Sequence, residues 1–197
     1  MKQEYIKKGR TNQKMETRGK ILLSAQYFLN KGLEFNLEDI AKKTGVSRAT
    51  IYRYFSNVDV LAAEAALDVS TKSPELICEN LQGKSLEEKF FGIQEYYNSL
   101  AVSHEKLFRK YISTFLDSST STPKRGARRK KTLQMVLEDT DFSAKEKKDL
   151  SNLLTVLMGI EPLIVTKDVC GLDNSESTEL LRWGMEMILI GFKSSKK

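Results

Sequence analysis

Apolar residues recur along the chain at intervals of three and four, with few alternating stretches, and this spacing predicts helices nearly from end to end. Ile21, Leu22, Ala25, Phe28 and Leu29 make the stripe of a first helix that starts at a Thr17 cap and runs to about Asn30, with Gly32 as its stop. Asn36 is placed to cap a second helix, in which Leu37, Ile40 and Ala41 share a face and Glu38 and Asp39 occupy the positive first turn. Gly45 interrupts the pattern where a turn needs a left-handed residue. Ser47 restarts the pattern as an N-cap, and Ile51 and Phe55 then share a face with Val46. After Leu61 an alanine-rich fourth helix runs toward Pro74.

The second half repeats the signal with longer periods. Ser85-Leu86-Glu87-Glu88 is a capping box before Leu86, Phe90, Ile93, Tyr97 and Leu100. Residues 105–118 carry Leu107, Phe108, Tyr111, Ile112, Phe115 and Leu116 on one helix, and Leu133, Val136 and Leu137 follow on another that starts at Pro123. Ser143 and Glu146 form a further capping box. It opens a long helix through Leu150, Leu153, Leu154, Leu157 and Met158, with a kink at Pro162. A last helix runs from Glu176 to Phe192. The count is about nine helices and the expected fold is all-α, with a flexible basic arm at 1–14, a small helical domain at 15–65 and a larger one at 66–197.

Charge divides the chain at the same place. Residues 1–57 hold 12 Lys and Arg against 5 Asp and Glu, a net of +7, and the remaining residues hold 20 against 21, a net of −1. The whole chain carries +6, so its excess cations all lie around the helix–turn–helix pattern, which is the electrostatic footprint of nucleic-acid binding. Within the second of the two short helices, Arg48, Thr50, Tyr52, Arg53 and Tyr54 point away from Ile51 and Phe55. Such a face offers the cations, donors and rings that meet phosphates and base edges. A merely hydrated helical hairpin is the alternative, and the spacing, turn glycine and charge distribution together weigh against it.

The arrangement Arg18-x-x-Ile21, Ala25, Phe28, Gly32, Ile40-Ala41-x-x-Thr44-Gly45-Val46-Ser47-x-x-Thr50-Ile51-Tyr52-x-Tyr54-Phe55-x-Asn57 and Leu61 resembles the N-terminal DNA-binding domain of TetR-family transcriptional repressors. The resemblance covers roughly residues 14–65. It implies a three-helix DNA-binding domain whose third helix enters the major groove of operator DNA. A larger helical domain that dimerises and binds a small molecule would follow. Carried over by position, it implies that Arg48, Ala49, Thr50 and Arg53 approach base edges or nearby phosphates. Tyr52 and Tyr54 would meet the sugar-phosphate backbone, and Thr44 and Ser47 would reach phosphates at the turn and helix start. Relatives commonly carry a lysine after the asparagine, and this chain has Val58 there. That departure removes one phosphate contact.

In the second half, the wide apolar faces of the last two long helices exceed what one pair buries. They point to a two-fold four-helix bundle built by Leu154, Leu157, Met158, Leu180, Trp183 and Met187. A dimer also suits DNA reading, since two recognition helices contact successive major grooves. The middle helices hold an aromatic set, from which Phe90, Tyr97, Phe108, Tyr111 and Phe115, with His104 as a polar handle, are candidate contacts for a small-molecule effector. The run of six cations from Lys124 to Lys131 reads as a solvated helix start, with a second nucleic-acid contact as the alternative.

Cys78, Cys170 and His104 lack metal-ligand spacing, and two free thiols fit a reducing cytoplasm. No apolar stretch follows the basic start as a signal peptide would require, and the run Leu153–Val165 is too short and too interrupted to span a bilayer. No nucleophile–base pair, paired-carboxylate motif or phosphate loop marks an enzyme, and no cofactor is implied. The expectation is a DNA-binding regulator that represses and is released by a small effector. The alternative is a small-molecule-binding or interaction protein on the same fold with weakened DNA binding.

Overall fold

The computed structural model describes residues 2–116 and 127–194, and among them every regular element is helical. In chain order these are α1 (Lys2–Asn30), α2 (Leu37–Thr44), α3 (Arg48–Tyr54), α4 (Val58–Ser70), α5 (Pro74–Glu79), α6 (Leu86–Ser103), α7 (Glu105–Leu116), α8 (Arg128–Glu138), α9 (Ala144–Val156), α10 (Ile160–Asp168) and α11 (Asn174–Ser194). The fold is all-α as expected, with eleven described helices rather than about nine.

The two additional helices have separate local causes. Pro74 does more than end α4. It occupies the first turn of α5, where its missing N–H costs nothing, behind a Ser73 cap that accepts the Leu76 N–H at 3.2 Å. The expected long helix after Ser143 breaks at Gly159, whose φ is +86°, and not at Pro162, which sits in the tolerant first turn of α10. α9 and α10 consequently meet at 45°. Among the described residues no single helix is long and apolar enough to cross a membrane.

The start of α1 also differs from expectation. Residues 2–14, expected as an arm, belong to the helix, which no proline interrupts. Thr17 is not its cap, because its Oγ1 donates to the Gln13 carbonyl at 2.8 Å, the bond of a threonine inside a helix.

The described residues fall into two compact units. One is built from 2–70 with 109–116, the other from 71–108 with 127–194. Residues 109–116 group with the first unit, where Lys110 reaches Asp59 at 3.4 Å, so the units do not follow a simple 15–65 and 66–197 division. The first unit packs Ile21, Leu22 and Ala25 of α1 against Leu37, Ile40, Ile51, Phe55 and Leu61. The second packs Phe90, Ile93 and Tyr97 of α6 against Leu133 and Leu137 of α8, Leu154 and Met158, and Met185 and Leu189 of α11.

Polar side chains are built into that second core. Gln94 Nε2 donates to the Leu157 carbonyl at 3.0 Å and the Leu181 carbonyl at 2.8 Å. Asn98 Oδ1 accepts the Gly159 N–H at 2.8 Å, and Arg129 donates to the Met158 carbonyl. The bonds to the Leu157 and Met158 carbonyls and to the Gly159 N–H satisfy backbone groups that the α9–α10 break would otherwise orphan, while the bond to the Leu181 carbonyl ties α6 to α11.

Candidate nucleic-acid interface

Local chemistry sets the geometry of α2 and α3. Asn36 and Asp39 form a reciprocal capping box at the start of α2, in which Asn36 Oδ1 accepts the Glu38 N–H at 2.8 Å and the Asp39 N–H at 3.1 Å. Gly45 closes α2 in the left-handed region with φ +68° and donates its N–H to the Ala41 carbonyl, a conformation that a Cβ would strain. Ser47 Oγ accepts the Thr50 N–H at 3.3 Å and donates to Thr50 Oγ1 at 2.9 Å, opening α3.

Ile51 is fully buried, and Phe55, the C-cap of α3, is 1% exposed. These two anchors seat one face of α3 in the core and turn the other outward. Ser47, Arg48, Ala49, Tyr52 and Arg53 are exposed, and Tyr52 stands 50% in solvent. Thr50 and Tyr54 are half-buried, with Tyr54 packing on the core edge. Arg48 pairs with Glu38 at 2.8 Å, but both side chains are about half or more exposed, so the pair is worth under about 1 kcal/mol and the guanidinium is available to a stronger anion. Thr44 is half-buried at the turn. Its hydroxyl donates to the Ile40 carbonyl at 2.7 Å and accepts the Val46 N–H at 3.3 Å, so it shapes the turn.

A second tier of residues holds this face in place. Arg18 of α1 lies 5.3 Å over the Phe55 ring and pairs with Glu64 of α4. Gln26 of α1 donates to Asp68 at 3.0 Å and to the Ala65 carbonyl at 3.3 Å. One guanidinium therefore touches both the end of α3 and α4. Val58 is half-buried against the same core, and α4 is capped by Asn57 Oδ1, which accepts the Val60 N–H at 2.9 Å. Position 58 thus contributes packing where the resemblance led to the expectation of a cation.

The sequence reading missed one cationic cluster. Tyr27 is exposed, with Lys43 at 3.5 Å and Lys31 at 4.8 Å from its ring centroid. A hydrogen bond from Lys31, and then the charges of Lys31 and Lys43, hold the phenol below its ordinary pKa. The Tyr27–Lys31 spacing of four was visible in the sequence, but the approach of Lys43 across α2 was not.

The expected effector residues fall in both units. Phe90 and Tyr97 share the second core, 2% and 5% exposed. Tyr97 has its hydroxyl 2.9 Å from Thr132 Oγ1, and burial pushes its pKa up to about 12. His104 is half-buried at the C-cap of α6, its N–H donating to the Leu100 carbonyl. Phe108 belongs to the second unit and Tyr111 to the first, both half-buried, while the side chain of Phe115 lies outside the described residues. Of these six, Phe90 lines a cavity of about 470 Å³ in the second unit.

The expected interface set also separates. Leu154 and Met158 are fully buried within the chain's own core, so they have no surface to offer a second copy. Leu157 is half-buried against that core. Leu180, Trp183 and Met187 are exposed and, with Ile190, line one face of α11 at steps of three and four.

The basic run is tied down where it is described. Arg129 bonds Glu161 at 2.8 Å and Lys131 reaches Glu75 at 2.5 Å, whereas Lys124, Arg125 and Gly126 lie outside the described residues. Among the described residues no group of three His, Cys, Asp or Glu is placed to hold a metal ion.

Residues 23–65 match the family model described as bacterial regulatory proteins, tetR family. No curated protein and no solved structure matches the chain.

Proposed function

We propose, from the match of residues 23–65 to the tetR family of bacterial regulatory proteins, that the chain is a cytoplasmic, homodimeric repressor that leaves its operator when a small effector binds. The carrying observation is the outward face of α3. Arg48, Tyr52 and Arg53 stand in solvent on a helix locked from behind by Ile51 and Phe55, in the part of the chain that holds the net +7. A rigid helix with exposed cations and a ring is what major-groove reading requires. In this reading Ser47, Arg48, Ala49, Thr50, Tyr52 and Arg53 contact DNA directly, with Tyr54 at the edge and Thr44 holding the turn.

Dimerisation follows from the exposed stripe Leu180, Trp183, Met187 and Ile190, an apolar helix face that a second copy would cover with its own. The effector acts by binding the conformer whose two recognition helices are mis-spaced, which draws population from the DNA-competent one. Catalysis has no part in this role.

The test is a gel shift with the gene's own upstream region. The double variant Arg48→Ala, Tyr52→Ala should lose at least about tenfold in affinity and show a shallower salt dependence, because one phosphate-facing cation is gone. Unchanged affinity and salt slope would refute DNA reading through α3. One observation favours a second reading. Val58 brings no cation to the start of α4, so a binding protein on this fold with weakened DNA contact is the alternative, and it predicts no shift even at low salt.

A further inference from the structure

The second unit contains a cavity with a predominantly apolar wall. A cavity of about 470 Å³ opens between the start of α6, the α8–α9 connection, α9 and the end of α11. Its apolar wall is Leu86, Phe90, Phe142, Leu150, Leu189 and Phe192. Phe90, Leu150 and Leu189 are buried and form the floor, and Phe142 meets Phe192 edge to face at 5.0 Å. This volume lies within the range of small-molecule sites.

The three polar residues on the wall are already engaged. Ser85 Oγ donates to Glu88 Oε2 at 2.7 Å and accepts the Glu88 N–H, as the cap of α6. Glu87 and Lys193 pair with each other at the rim, joining the first turn of α6 to the last turn of α11. A charged ligand would meet both signs of that pair at the rim and a purely apolar wall behind it, so its charge gains little there and is costly to carry further in. An apolar molecule meets no such penalty and gains from every carbon it removes from water.

We infer that this cavity binds a neutral, predominantly hydrocarbon or aromatic molecule, and that the Glu87–Lys193 pair is a latch at its rim. The inference deepens the effector reading above. It rests on that reading only for the consequence on DNA, while the binding itself is independent of it.

The experiment uses the full chain and the neutral fluorophore N-phenyl-1-naphthylamine. Saturable binding at one probe per chain is expected, with displacement by dodecanol and at least tenfold weaker displacement by dodecanoate. Leu86→Trp, which fills the cavity, should weaken probe binding at least tenfold. Glu87→Gln, which opens the latch, should speed probe association. Methyl chemical shifts of Leu86, Leu150 and Leu189 in the unaltered protein give a readout independent of any variant, and they should move together on titration. Absence of saturable binding, dodecanoate as effective as dodecanol, or shifts confined to other leucines would each overturn the site. A gel shift separates the two ideas. Probe binding here without operator release keeps the site and removes the effector role, whereas release that persists in a folded Leu86→Trp protein removes the site and keeps the role.

Discussion

In the first unit Ile21, Ile40, Ile51, Phe55 and Leu61 are buried among apolar neighbours, and Ser24 is the buried polar residue among those described. In the second, Gln94, Asn98, Thr132, Ser151, Thr166 and Ser177 are buried beside the apolar cluster. The first unit keeps its polar groups outside, where they form a cationic surface. The second takes several inside, where Gln94 and Asn98 satisfy backbone groups 61 to 87 residues away in the chain. A DNA-reading unit is served by a plain core that fixes one helix and leaves its other face to electrostatics. The second unit is held by specific long-range bonds to a broken helix, and these define where α9 ends and α10 begins.

Three substitutions would break or sharpen this contrast. Phe55→Ala should have the largest effect, a loss of roughly 3–5 kcal/mol, since it empties the core behind α3 and removes the ring under Arg18. Chemical denaturation measures the loss, and hydrogen exchange should place it in the amides of α2 to α4. Gln94→Ala should cost roughly 1–3 kcal/mol, chiefly by leaving the Leu157 carbonyl at the helix break without its side-chain donor. A negligible cost would mean that the polar groups of the second core are incidental, and the contrast would fail. Ser47→Ala should have the smallest effect, about 1 kcal/mol from loss of a cap, while Ser47→Gly should cost only a few tenths. If Ser47→Ala lowers operator affinity by more than its stability cost explains, the hydroxyl also serves DNA.

Features that depend on near neighbours were legible beforehand. The caps at Asn36, Ser47, Ser85 and Ser143 and the left-handed glycines Gly32 and Gly45 all stand where the sequence pattern puts them, because a cap involves residues within a turn of each other. The outward face of α3 was legible for the same reason, as Ile51 and Phe55 are one turn apart. Thr44 was legible as a turn residue, but the engagement of its hydroxyl by Ile40 and Val46 was not. The break at Gly159 was hidden because Pro162 is the stronger local signal. The decision came from Asn98 and Arg129, which reach the break from other helices. Leu154 and Leu180 look alike as apolar helical positions, yet one is fully buried and the other exposed, and only packing tells them apart.

Sequence alone determined the helical class, the capped helix-turn-helix with its seated recognition helix, and the concentration of cations around it. Periodicity, capping and charge are local quantities that a chain carries whether folded or not. Tertiary structure alone decided which apolar stripes close into a core and which face solvent. It also decided where the long C-terminal helix breaks, and that Leu86, Phe142, Leu150 and Phe192 surround one cavity. Those outcomes depend on residues far apart in the chain competing for the same buried volume, and spacing along a sequence does not record that competition.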